Sequence, residues 1–166
     1  MSLVPFSTLG SGSRLWIFAS DKPMSSDVQE QFLATLDPIL NDWQAHGAPL
    51  RSGRELSFGQ FLFIAADPTE ATASGCSIDT MTREVQRIGQ QFGVSFLTTP
   101  KVHYNTPQGP VTVERNAFKE LVQSGTVNAE TIVFNNTLTT IEELRAGKWQ
   151  VPARLSWHSS AFKLNA

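Results

Sequence analysis

The sequence predicts an α+β fold, with a ferredoxin-like core and a C-terminal α/β extension packed on it. That core is a split β-α-β antiparallel sheet with two helices on one face. Three observations predict it. Two short runs, residues 15–19 and 61–66, are apolar on both alternating faces, as strands covered on both sides are. Two longer stretches repeat their apolar residues every three or four positions, the period of a helix. With a more polar segment at 50–58 and a strand candidate after the second helix, the order reads β-α-β-β-α-β. The core is assigned to residues 1–104 and the extension to 105–166, which holds too few apolar residues to stand as an independent domain.

Residues 1–13 end in Gly10-Ser11-Gly12-Ser13 and read as a loose lead-in. The first strand, 14–19, is bounded by Asp21-Lys22-Pro23. Ser26, with Gln29 three residues on, resembles a capping box. Val28, Phe32, Leu36, Ile39, Leu40 and Trp43 then form a stripe reaching about Ala45, with a kink or break expected at Pro38. His46 precedes Gly47 at that helix end, where a histidine commonly caps carbonyls. The second strand, 50–58, is polar enough for a sheet edge, where charge is tolerated and Arg54 contributes little. The first and third strands are then central.

The second helix opens at Ser74-Gly75-Cys76-Ser77-Ile78-Asp79. Ile78, Met81, Val85, Ile88 and Phe92 share one face, and Gly93 is free to end the helix in the left-handed conformation. Ser74, Ser77 or Asp79 could cap it. Cys76 falls within about one turn of the N-terminus, where the positive end of the dipole favours a thiolate. The amides of Ser74, Gly75, Cys76 and Ser77 could instead hold an anion or another ligand. Set against both is the structural reading of Cys76 as a buried, inert filler of a tight turn. Residues 94–97 make a further strand candidate, resuming at 102–104.

Trp16 and Phe18 point opposite to Leu15 and Ile17, and fall with Leu62 and Ile64 on the face away from the helices. Something must cover that face: the C-terminal third, through Phe134, Trp149 and Trp157, or a second subunit. The chain is accordingly expected as a monomer or a homodimer. The C-terminal third itself reads as a hairpin (102–104 with 111–113), a short helix near Phe118, a strand at 131–134, a helix capped by Thr140 with Glu143, and an apolar tail.

With 166 residues, 17% charged and a net charge of −2, the chain lacks the basic face that nucleic acid or an anionic membrane demands. One cysteine excludes an intramolecular disulfide and a cysteine-only zinc cage. The apolar runs are far too short to span a membrane. No secretory signal is visible, so the cytoplasm is expected. His46, His103 and His158 have no metal-binding spacing, so no metal and no cofactor is expected. No phosphate loop and no Gly-x-Ser-x-Gly elbow occurs.

The residues left for catalysis are Cys76, a strand histidine at His103, and the acidic Asp67, Glu70 and Asp79 around the Cys76 loop. The reading that fits best is a non-catalytic binding or assembly module with a protein or small-molecule partner. The alternative is a small cysteine-dependent enzyme or thiol sensor.

Arg14-Leu-Trp-Ile, Trp43-x-x-His46-Gly47-x-Pro49-Leu50, Ser74-Gly-Cys-Ser-Ile-Asp79 and Phe134-Asn-Asn136 with Ser156-Trp-His158 together resemble an uncharacterised family of small Bacteroidetes proteins. Members carry the label transporter ATPase, which the missing Walker A motif does not fit. The family implies no catalytic residue. Phe118-x-x-Leu121-x-x-Ser124-Gly125 followed by Thr131-x-Val133 faintly resembles GYF-like modules, which bind proline-rich peptides, without their defining aromatic motif.

Overall fold

The computed structural model describes residues 2–69, 71–96 and 98–164; Glu70 and the end of the 94–97 strand candidate, Leu97, lie outside them. The α+β class holds, with antiparallel sheets. The first half runs β1 (Arg14–Ala19), α1 (Ser26–Asn41), β2 (Gln44–Ala45), β3 (Ala48–Pro49), β4 (Arg51–Ser57), β5 (Phe61–Asp67) and α2 (Gly75–Gln91). The second runs β6 (Val102–Thr106), β7 (Gly109–Val113), α3 (Arg115–Gln123), β8 (Ile132–Phe134), α4 (Ile141–Arg145), β9 (Gln150–Pro152) and α5 (His158–Ala161).

The first sheet has the order β1-β5-β4, so β5 is central and β1 stands at an edge, contrary to expectation. The segment expected to flank β1 is drawn elsewhere. β6 pairs with β7 across a two-residue turn and with β8, in a second sheet of order β7-β6-β8-β9. On the outer edge of β1 the described residues make two isolated bridges, Arg14 to Thr140 and, just past the end of the strand, Ser20 to Phe96.

Both helices pack on one face of the first sheet. Phe32, Leu36 and Leu40 of α1 and Met81, Val85 and Ile88 of α2 bury against Leu62, Ile64 and Ala66. Each of these side chains larger than Ala66 contributes roughly 1.5–3 kcal/mol. Trp16 and Phe18 join this helix-side core, not the far face, because the pleat sets Leu15 and Ile17 on the other side with Phe61 and Phe63. Gly89 is required here: a Cβ would sit 2.7 Å from the Phe96 ring.

Local expectations are corrected at four places. Helix α1 runs through Pro38 to Asn41 and does not break there; the proline gives up one ladder bond, three residues from the helix end. The chain then turns back through His46 (φ 52°) and Gly47 (φ 78°), the type I′ pattern, so His46 is an exposed hairpin residue and not a helix cap. The lead-in is ordered. Ser2 and Val4 bond to both sides of Ser52, Leu9 is buried, and Gly53 lets this segment cross β4 closely. Arg54, on β4, makes a two-pronged ion pair with Asp37, 2.8 Å at each prong, and is no bare edge charge.

The far face of the first sheet is covered from within the chain. Phe134, Leu138, Ile141 and Trp149 close over Leu15, Phe61, Phe63 and Ala65. Val102, Phe118, Val127, Val133 and Leu164 form a third cluster on the second sheet.

Candidate functional site

The sequence motif at residues 74–79 is a helix cap. Ser74 Oγ accepts from the Ser77 N–H at 3.1 Å, and Ser77 Oγ accepts from the Ser74 N–H at 2.8 Å. Each hydroxyl satisfies an amide that the helix cannot, which is why the Ser-x-x-Ser spacing starts a helix here. Ser77 is buried, and its carbonyl accepts the Trp43 indole N–H. Ser74 and Gly75 line a shallow cleft with Arg14, Trp16 and Thr140. Cys76, the second residue of α2, is exposed, which overturns its reading as a buried filler. Asp79 is exposed on the same helix. Asp67 closes a turn by accepting from Thr69 and pairs with Arg51 at 3.2 Å.

His103 is nowhere near this motif. It lies in β6, edge-on to Phe61 on the far face of the first sheet, whereas α2 covers the opposite face. A Cys76–His103 pair is therefore not formed. His103 is 3% exposed and lines a second cleft, about 240 Å³, where the second sheet meets the open edge of β1. Ile17, Ala19, Lys101, Phe134, Asn136 and Trp157 line it as well.

The local folding that positions this imidazole is a cross-strand pair. The β6–β7 turn sets His103 opposite Thr112, and Nδ1 lies 2.9 Å from the Thr112 hydroxyl. Gln60, 2% exposed, donates its amide hydrogens to Thr112 Oγ1 at 2.7 Å and to Ser20 O at 2.9 Å. This ties the end of β1 to the second sheet. Burial, with the neighbouring Lys101 charge, pushes His103 down to about 4. His158 is fully buried beneath Trp157, which stacks on it at 3.9 Å. Burial first, then the charges of His103 and Arg115, push it to about 4 too.

The cleft is framed by the outer edge of β1, on which no strand is paired among the described residues. Leu15 N–H, pointing away from β5, donates to Thr139 O. By strand alternation Ile17 points the same way, and its N–H has no partner among the described residues. Asn136 accepts the Trp149 indole N–H on Oδ1 at 2.9 Å, so its amide nitrogen is left over. Lys101 pairs with Glu114 at 3.1 Å.

Sequence reasoning singled out His103 but missed Gln60, Thr112, Lys101 and Asn136. Thr112 was within reach: the hairpin 102–104 with 111–113 already implies that pairing. Among the described residues no group of three or more metal-binding side chains converges, and no helix is long and apolar enough to cross a membrane. Comparison with known proteins finds no matching family model, no matching curated protein and no matching solved structure.

Proposed function

We propose that this protein is a non-catalytic binding module that takes a small partner molecule into the cleft between its two sheets. The observation that carries this is the clamped imidazole of His103. A general base works best with a pKa near the working pH. A ring held at about 4 and anchored by Thr112 and Gln60 suits a fixed hydrogen-bonding group instead. The first sheet is, in this reading, a ferredoxin-like plan whose fourth strand has left to build the second sheet, opening β1 at the cleft. The setting we propose is cytoplasmic, with the chain as monomer or homodimer.

The test is a fragment screen of the full chain followed by amide NMR. Shifts should gather on Ile17, Ala19, His103, Asn136 and Trp157. Shifts gathered on α2 instead would reject the cleft. One observation favours the second reading, a thiol sensor or cysteine-dependent enzyme: the exposure of Cys76 at the start of a helix. Its test is the rate of iodoacetamide alkylation against pH, where half-maximal reactivity well below the free-thiol value of about 8.5 would support it.

A further inference from the structure

The hydrogen-bond chain at the cleft also says which chemistry it would receive, an inference that rests on the binding reading above. Thr112 Oγ1 accepts a hydrogen from Gln60, and His103 Nδ1 is the one other partner of that hydroxyl among the described residues. Sending the hydroxyl hydrogen to Nδ1, the one acceptor among these partners, puts the ring hydrogen on Nε2, the ring atom without a partner among the described residues. Asn136 is oriented by a group that can only donate, the Trp149 indole, so Oδ1 faces the indole and the NH₂ group has no partner among the described residues. Lys101 adds a positive charge shared with Glu114. No acidic residue lines the cleft among the described residues, while Trp157, Ile17 and Phe134 give it an apolar wall.

We infer that the cleft binds a small monocarboxylate with an apolar body, its carboxylate accepting from His103 Nε2 and the Asn136 amide beside Lys101, its body lying against Trp157 and Ile17. A volume of about 240 Å³, below the roughly 300–1,000 Å³ of drug-sized sites, keeps the ligand small. Donors that line the cleft favour a ligand that can accept, because one that cannot leaves them unpaired when it displaces their water.

The experiment titrates 3-phenylpropanoate, 3-phenylpropanamide and 3-phenylpropylamine into the full chain, followed by amide and indole NMR signals. The acid should saturate shifts at Ile17, Asn136 and Trp157 and bind about ten-fold or more tighter than the amide, with no binding of the amine. Asn136→Asp keeps the acceptor for Trp149 and replaces the donor by a negative charge. It should weaken the acid by about ten-fold or more and leave the rest of the spectrum in place. Amide or amine binding at the cleft as tight as the acid would overturn the ligand class and leave the cleft itself standing. Undiminished acid binding by Asn136→Asp would overturn it too. If none of the three probes moves the cleft signals, both the ligand class and the cleft as a binding site fall.

Discussion

Trp149 stands edge-on to Phe63, with ring centroids 4.8 Å apart and planes at 88°. Phe63 lies on the central strand of the first sheet and Trp149 just before β9 of the second, so this pair joins the two halves of the chain. Phe134 stacks on Phe61 beside it, also at 4.8 Å. The C-terminal segment therefore covers the first sheet in place of a second subunit. Trp149→Ala should cost about 3–5 kcal/mol, measured by urea denaturation. Truncation after Asn105 should give an aggregating or newly dimeric protein, since it bares Leu15, Phe61 and Phe63 together. A soluble monomeric truncation would show that this face needs no cover.

Cys76 is exposed at the second position of α2, and its neighbours Ser74 and Ser77 are occupied with each other. It should alkylate to one equivalent in native protein without denaturant. Cys76→Ala should shift stability by no more than about 0.5 kcal/mol, as for a surface site. Protection until unfolding, read by mass spectrometry, would contradict the exposed placement.

The two buried histidines give stability a direction with pH. Both are held at about 4 against an ordinary value of 6.5, chiefly by burial. Between those values the unfolded chain binds protons that the folded chain refuses, so stability rises with pH in that window. The contribution is complete above pH 6.5 and is lost as pH falls from there through 4. Lys101 acts on His103, and His103 and Arg115 act on His158, all in the same sense; Glu114 is the counter-charge on Lys101. The slope should reach at most about 1.4 kcal/mol per pH unit for each ring. Urea midpoints between pH 7 and 4.5 measure it, and His103→Gln should flatten it. A flat wild-type profile would place both rings in water.

How far the sequence could be read follows from the range of the interactions. Helices α1 and α2 were legible because period and caps are local: Ile78, Met81, Val85 and Ile88 announce a face, and Ser74, Ser77 or Asp79 announces a start, with the choice among the three left open. The hairpin β6–β7 was legible for the same reason. Strand order was not. Nothing in residues 102–106 says whether they pair with β1 or with Ile132–Phe134; that choice depends on partners far along the chain. The facing of Trp16 and Phe18 was equally hidden, since a run apolar on both sides gives alternation without saying which side the helices take. The cleft depends on such long-range choices, through Gln60 reaching Thr112 across two sheets. The cysteine motif drew the eye because its residues are contiguous, and the structure spends them on a cap.

The binding reading turns on His103 as a neutral, fixed donor at the cleft, held by Thr112 and Gln60. Long-range ¹H–¹⁵N NMR of the imidazole in the full chain measures this directly, since the two ring nitrogens resonate apart according to which carries the hydrogen. The hydrogen is expected on Nε2 at pH 7, with the ring still neutral at pH 5 and half-protonated only near the value of about 4 that burial imposes. A hydrogen on Nδ1, or protonation near the ordinary 6.5, would contradict it.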